Sequence, residues 1–218
     1  MNEAPVTPVG QTRGDRMREA SRERRSLQKQ ELRSSILVAA AELFLEHGYE
    51  HFSMRQVAER IGYSATTIYL YFENKDDLLF EVVSDGWQRF SDDFLAAAAA
   101  ADDPLERLHA LGRVYVSFGL DNPAVYGLMF VQRSDFLMHE NLHRSGKPAD
   151  LFLVLCDAVQ AAVGAGIFPP GDVVGYSDAI WASVHGIVTL CPDMIDDERR
   201  QRAVEIVLRM TLDGLRAR

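Results

Sequence analysis

Apolar residues recur at helical spacing along most of this 218-residue chain. In the first such segment, over 27–47, they return every three or four residues, and Gly48 follows as a stop signal. The same periodicity predicts later helices over about 75–101, 104–120, 124–133, 148–168, 172–190 and 196–216. No segment alternates apolar and polar residues with a period of two over a useful length. The pattern therefore predicts an all-α fold without a sheet.

The stretch after Gly48 holds two brief helical patterns that meet at Gly62. Ser53 can cap the first helix and Ser64 the second, while Gly62 can adopt the left-handed conformation that a tight turn requires. Ile68 lies on the face that is predicted to pack inward. Two helices joined by a short turn with a corner glycine are the helix-turn-helix signature, whose second helix enters the major groove of DNA. An ordinary αα-hairpin has the same periodicity.

With its flanks, this segment resembles the DNA-binding domain of the TetR family of transcriptional regulators. The matching positions are Phe44, Gly48, Tyr49, Ser53, Val57, Ala58, Ile61, Gly62, Ser64, Ile68, Tyr69, Phe72, Lys75 and Leu78. The resemblance implies a DNA-binding domain over 26–75 and a helical regulatory and dimerisation domain over 76–218.

The resemblance also implies which side chains meet DNA. Arg55, on the first motif helix, can reach a base or a phosphate, or it is a solvated surface arginine. Between Ile61 and Asn74 there is no Lys or Arg, which shifts the expected affinity toward Arg55, Lys75 and the N-terminal arm. The full predicted set is Ser53, Arg55, Ser64, Thr66, Thr67, Tyr69, Leu70, Tyr71 and Lys75.

Two later stretches, Tyr115–Phe130 and Trp181–Gly186, resemble the regulatory domain of one TetR branch that is named for its Trp, His and Gly. A helix bundle this rich in aromatic residues is predicted to enclose an apolar pocket with a few polar anchors for a small apolar or amphipathic effector. Each aromatic residue can equally be plain core, and His185 a satisfied buried histidine. The predicted ligand-binding residues are Trp87, Phe90, Tyr115, Phe118, Tyr126, Phe130, Phe152, Trp181 and His185.

The last two helices are expected to form a homodimer surface, because the family pairs such helices in a four-helix interface and a two-fold dimer reads a palindromic operator. Their apolar stripes either meet a partner or close a monomer core. They consist of Val184, Ile187, Val188, Val204, Val207, Leu208 and Leu212. The predicted function is a repressor that the effector releases from its operator; an activator, or a regulator without ligand, are the alternatives.

The charge of the chain is unevenly distributed. Residues 1–75 hold 11 Lys and Arg against 10 Asp and Glu, a balance of +1, so the rest of the chain carries −10 of the net charge of −9. Residues 1–25 are polar, basic and without periodicity, which predicts a disordered arm that lies along DNA phosphates or is a solvated tail.

Composition narrows the remaining classes. With 47% hydrophobic and 25% charged residues, the chain is typical of a globular protein. It has no signal-peptide pattern and no apolar run long enough to span a bilayer, so we expect a cytoplasmic protein without membrane contact. Cys156 and Cys191 are expected to be reduced, although a redox-sensing pair is an alternative. No cofactor is predicted.

One motif indicates a different class. His139 and His143 lie in an H-E-x-x-H sequence, which in zinc hydrolases places two ligands one helical turn apart with Glu140 as general base. A catalytic zinc needs a third protein ligand, and Ala149 stands where it would be expected. A hydrolase or a metal-sensing site therefore remains the alternative, and no metal is predicted.

Overall fold

The computed structural model describes residues 13–131, 150–190 and 197–216, and every regular element within these ranges is helical. The helices are α1 (Arg13–His51), α2 (Met54–Arg60), α3 (Ala65–Tyr69), α4 (Lys75–Ala100), α5 (Pro104–Asp121), α6 (Pro123–Tyr126), α7 (Leu151–Gly164), α8 (Val173–Leu190) and α9 (Asp197–Gly214). A π-helical turn, Gly127–Val131, continues α6. The all-α prediction is confirmed.

The structure differs from the sequence prediction at the start of α1. Residues 13–25 are helical and continuous with the rest of α1, whereas a disordered arm was predicted there; residues 1–12 lie outside the described ranges. Arg, Glu, Ala and Met, which have high helix propensity, fill much of this stretch. Once α1 is nucleated where it packs, each further residue adds a hydrogen bond, so the helix propagates outward without burying an apolar face.

The two short helices form as their local sequence predicts. Gly48 breaks α1 with φ 71°, and Ser53 then caps α2 by accepting from the Gln56 backbone N–H at 3.3 Å. The corner glycine, Gly62, has φ 74°, and Ser64 caps α3. This helix-turn-helix is held by a common core that is formed by Ile36, Phe44, Val57, Ile68, Phe72 and Leu78.

Helix α4 connects the helix-turn-helix to the C-terminal bundle. Its first turn is capped by Asn74 and packs on α1, while its second half packs on α5. Helices α5, α7, α8 and α9 complete the bundle, and α9 lies against α5 and α8. Phe168, in the turn after α7, is fully buried. Helix α4 is therefore the element that both parts of the core share.

Some predicted features fall on residues that are not described. These are the predicted loop over 134–147, the two motif histidines His139 and His143, and Cys191. Cys156 is a free, half-buried thiol on α7. Among the described helices, none combines the length and the apolar character needed to cross a membrane.

Candidate functional site

The outward face of the helix-turn-helix is formed mainly by α3. Tyr69 and Leu70 expose 55% and 77% of their surface, and Thr66 is also exposed. Thr67 is half-buried, with its hydroxyl 2.9 Å from that of the capping residue Ser64. The structure therefore presents a methyl, a hydroxyl and a phenol on one short helix, without a charged group among them.

Arg55 lies near the start of α2, the helix that packs on α3. Its side chain is 83% exposed and its Nε donates to Glu59 Oε1 at 2.8 Å. This ion pair raises the pKa of Arg55 further, mainly through the hydrogen bond to Glu59. The Ser53 hydroxyl is engaged in the cap of α2, because it accepts from the Gln56 backbone N–H and donates to Gln56 Oε1 at 2.7 Å. Of the two cations in the predicted set, Arg55 and Lys75, Arg55 is the exposed one.

Lys75 is engaged within the chain. Its Nζ lies 3.8 Å from the centroid of the Tyr49 ring and donates to the Tyr49 carbonyl at 3.1 Å. The Tyr49 hydroxyl in turn donates to the Asp76 carboxylate, which raises the pKa of Tyr49 to about 12. These contacts fix the end of α1 to the start of α4 instead of leaving Lys75 free for a phosphate.

A groove of about 1010 Å³ lies between the N-terminal part of α1 and the helix-turn-helix. Arg25, Gln28 and Lys29 line it from α1, and Tyr63 and Tyr71 line it from the other side. Arg25 belongs to the arm that was expected along DNA phosphates, and Tyr71 was a predicted site residue. Gln28, Lys29 and Tyr63 were not predicted, although Gln28 and Lys29 lie in the helix predicted over 27–47.

All nine predicted ligand-binding residues meet in one aromatic cluster inside the bundle. Phe90 is at its centre, with ring centroids 4.9 Å from Phe118 and 5.6 Å from Tyr115. Phe130 joins Trp87 to this centre, and Phe152 reaches it through Trp181 at 6.1 Å. Four members are buried, namely Phe90, Tyr115, Phe118 and Tyr126. The others are half-buried, namely Trp87, Phe130, Phe152, Trp181 and His185.

A polar network lies within the cluster. Trp181 Nε1 donates to the Tyr115 hydroxyl at 3.1 Å, and that hydroxyl lies 3.0 Å from the Tyr126 hydroxyl. Both hydroxyls approach His185 Nδ1, at 3.0 and 2.5 Å. Burial raises the pKa of both phenols and lowers the pKa of His185, so all three groups are neutral near pH 7. The network can therefore donate or accept a hydrogen bond without carrying a charge.

The segment from α6 into the π-helical turn connects this cluster to the rest of the molecule. Tyr126 and Phe130 contribute to the cluster, whereas Val125 and Met129 press against α4 at Gly86. A Cβ at Gly86 would lie 2.4 Å from Val125 Cγ1, so only glycine allows this approach. The same segment also packs on α1. This segment therefore contacts the cluster, α4 and α1 at the same time.

The predicted dimer stripes on α8 and α9 are largely buried within this single chain. Val184, Ile187, Val188, Leu208 and Leu212 are buried, and Val204 and Val207 are half-buried. A different apolar strip is exposed on α9, where Ile206 at 44% and Met210 at 68% lie one turn apart; Leu190, at the end of α8, is 71% exposed. The buried stripes close the bundle, and the strip of Ile206 and Met210 faces solvent in the described part of the chain.

In the described part of the chain, no group of three or more His, Cys, Asp or Glu side chains is placed to hold a metal ion.

Two family models match the chain. The model described as bacterial regulatory proteins, tetR family, covers residues 36–82, and the model described as tetracyclin repressor-like, C-terminal domain, covers residues 108–191. The family prediction is confirmed, whereas membership of the Trp-His-Gly branch stays a prediction.

Characterised relatives match over part of their length. The HTH-type transcriptional activator FasR of Mycolicibacterium smegmatis is 30% identical over 108 residues, which are 48% of each chain. The fatty acid metabolism regulator protein of Bacillus subtilis is 35% identical over 63 residues, which are 29% of this chain and 32% of the relative. The chain thus spans about half or less of the length of these curated relatives, and both are named as regulators, not as enzymes.

Solved structures share the fold. The fatty acid degradation regulator FadR from Bacillus halodurans superposes with a TM-score of 0.67 at 24% identity, covering 85% of this chain and 97% of that chain. A TetR family transcription regulator from Marinobacter aquaeolei superposes with a TM-score of 0.66 at 20% identity, covering 88% of this chain and 100% of that chain.

Proposed function

Because the chain belongs to the tetR family of bacterial regulatory proteins, we propose that it is a transcriptional repressor that binds a palindromic operator as a homodimer. It is a regulator and not an enzyme, like the relatives it matches. The observation that carries the proposal is the exposed face of α3 together with the exposed guanidinium of Arg55 on α2, the helix that packs on α3.

Sequence would be read by few groups. A guanidinium can form a bidentate pair with guanine. Arg55 is therefore proposed to leave its ion pair with Glu59 and to contact a base. Thr66 can offer a methyl or hydroxyl to base edges, and Leu70 an apolar contact to a thymine methyl. Tyr69 is proposed to donate to a phosphate, which fixes the position of α3 without specifying sequence.

Dimerisation is supported by the exposed strip on α9. Ile206 and Met210 are exposed apolar side chains one turn apart on this helix. Covering this strip with its copy in a second chain would bury it in an isologous two-fold contact. The helix-turn-helix motifs of the two protomers would then contact the two half-sites of an inverted repeat.

The effector is proposed to bind at the aromatic cluster, with its polar end on Tyr115, Tyr126 and His185 and its apolar part among the rings. An amphipathic molecule with an acyl chain fits this combination. The printed names of the Bacillus subtilis and Bacillus halodurans relatives concern fatty acid regulation, which supports the same class. Binding would favour the arrangement of α6 and α4 whose half-site spacing does not suit DNA, and operator affinity would fall by the difference in effector affinity.

The direct test is binding of the purified protein to inverted-repeat duplexes, beginning with the region upstream of its own gene. We expect a salt-sensitive preference for one such duplex over a scrambled duplex of the same composition. Mass spectrometry of the protein purified under native conditions should identify an acyl compound that lowers this affinity when it is added back. Absence of any duplex preference would refute the proposed function.

The direction of regulation needs a separate experiment, because FasR is named an activator. A promoter fused to a reporter, with and without the regulator gene, separates the two directions. A repressor raises reporter output when it is deleted; an activator lowers it.

A further inference from the structure

The N-terminal part of α1 carries its basic residues on one face. Arg18, Arg22, Arg25 and Lys29 follow one another at intervals of four, three and four residues, which is the spacing of a single helical stripe. Their side chains are exposed. Glu23 lies away from this stripe, because it follows Arg22 by one residue. The stripe is thus a row of four cations, and Asp15 and Glu19 precede Arg18 and Arg22 by three positions each.

The described part of the chain gives this stripe few packing contacts and few ion pairs. All side chains described between Arg22 and Glu31 are exposed, and α1 begins to pack on the core only from Leu32 onward. Within the described residues, no carboxylate forms an ion pair with Arg22 or Arg25. These two guanidinium groups are therefore exposed on a helix and have no ion-pair partner in the part of the chain that the structure describes.

The stripe faces the same side of the molecule as the helix-turn-helix. Arg25 and Lys29 form one wall of the groove of about 1010 Å³, and Tyr63 and Tyr71 form the opposite wall. Tyr63 is 50% exposed, and Lys29 Nζ lies 5.9 Å from the Tyr71 ring centroid. Glu31 also lines the groove and is its one acidic side chain. Cations and phenols that converge on one channel are the donors that phosphate oxygens accept from.

We propose that this groove and the stripe that continues it hold a phosphodiester strand of DNA that flanks the half-site read by α3. The inference rests on the proposed DNA-binding function and extends it, because it assigns a second contact surface outside the helix-turn-helix. The helix from Arg18 to Lys29 is about 17 Å long at 1.5 Å per residue. A rigid basic rod of this length prolongs the footprint by several phosphates on each side of the operator. It also supplies the positive charge that α3 lacks.

The test compares two double variants with the same change in charge. Arg22→Gln with Arg25→Gln removes the centre of the stripe. Arg13→Gln with Arg24→Gln removes two exposed arginines that lie eleven positions apart on the other side of the same helix. Operator affinity is measured for each full-length protein between 50 and 300 mM salt, and circular dichroism checks that helix content and melting temperature are unchanged.

If each stripe arginine meets one phosphate, the slope of log K against log salt should fall by about 1.8 per protomer in the first variant, since each contact contributes about 0.9. The Arg13/Arg24 variant should keep nearly the wild-type slope. Hydroxyl-radical footprinting should show that the first variant loses protection only at the outer flanks, whereas protection of the half-site centre remains.

Equal slopes and equal footprints for the two variants would overturn the inference and leave the proposed function standing, provided that the wild type binds the duplex. Failure of the wild type to prefer any inverted repeat would overturn both. Two other occupants are tested in parallel. Binding to anionic lipid vesicles that is lost only with Arg22 and Arg25, at an unchanged DNA slope, would assign the stripe to a membrane. If deleting residues 2–12 abolishes the difference between the variants, the groove holds the chain's own N-terminus.

Discussion

The phenol oxygen of Tyr126 lies 2.5 Å from Nδ1 of His185, across 59 positions of the chain. Tyr115 approaches the same nitrogen, which has a single lone pair when the proton of the neutral imidazole is on Nε2. In that tautomer one phenol donates to Nδ1 and the other donates to the oxygen of the first phenol. A protonated His185 would donate from Nδ1 and break this order.

This arrangement predicts a stability that depends on pH. Burial lowers the pKa of His185 below its ordinary value of 6.5, so the unfolded chain binds more protons than the folded one below that pH. The stabilisation is complete above pH 6.5 and is lost as the pH falls through the lower folded pKa. We expect the melting temperature of the wild type to drop more between pH 7.5 and 5.5 than that of His185→Asn, which keeps an acceptor near Nδ1 but cannot titrate. Parallel curves for the two proteins would contradict the assignment.

Gly86 is predicted to be intolerant of even one methyl group. In Gly86→Ala the new Cβ would lie 2.4 Å from Val125 Cγ1, and a β-branched side chain on a helix has little freedom to turn away. Overpacking of this kind costs about 1–3 kcal/mol, more than the roughly 1 kcal/mol that alanine gains in helix propensity. Urea denaturation should therefore show a net loss of stability.

The matched control for this variant is Gly112→Ala. Its Cβ would meet Leu208 Cδ2 at the same 2.4 Å, but the end of a leucine side chain can rotate, so the loss should be smaller. Combining Gly86→Ala with Val125→Ala should recover part of the cost, as a double-mutant cycle would measure. Additive losses would place the strain elsewhere.

Local chemistry was sufficient to predict the helix-turn-helix, because its caps and corner depend on nearest neighbours. Ser53 and Ser64 cap their helices with their hydroxyl groups, and Gly62 has the positive φ that a residue without a Cβ adopts readily. The start of α1 was mispredicted since low hydrophobicity indicates what a segment can bury, not whether an existing helix can propagate through it.

Contacts between distant residues were beyond the reach of periodicity. The sequence predicted that Tyr115, Tyr126 and His185 lie in one bundle, but their shared hydrogen bonds depend on how three helices pack. Likewise, Lys75 was expected at the DNA backbone, and the structure turns it onto Tyr49 because α4 starts directly beneath the end of α1.

Arg55 and Tyr69 should differ in how they affect DNA binding. Arg55→Ala should change the preference among operator variants, by roughly tenfold or more at the base pair it contacts. Tyr69→Ala should weaken all sequences to a similar degree, because a phosphate contact carries no base identity. A panel of single-base operator variants measured by fluorescence anisotropy separates the two outcomes, and a uniform loss for both proteins would remove Arg55 from base recognition.

The ion pair of Arg55 offers a third variant in the same assay. Glu59→Gln releases the guanidinium and removes a negative charge next to the reading face. We expect tighter binding to every duplex together with a steeper salt dependence. If affinity instead falls, Glu59 orients Arg55 for DNA and does not compete with it.

The exposed strip on α9 predicts the oligomeric state. Met210→Lys would place an ammonium in the proposed two-fold contact, and burying a charge in an apolar contact is strongly unfavourable. The variant should sediment as a monomer at micromolar concentration. It should also lose most of its operator affinity, because the helix-turn-helix of one protomer contacts one half-site. Met17→Lys is the control, because Met17 is 66% exposed against 68% for Met210 but lies on α1. A monomeric wild type, or a Met210→Lys variant that stays dimeric, would show that the partner binds another face.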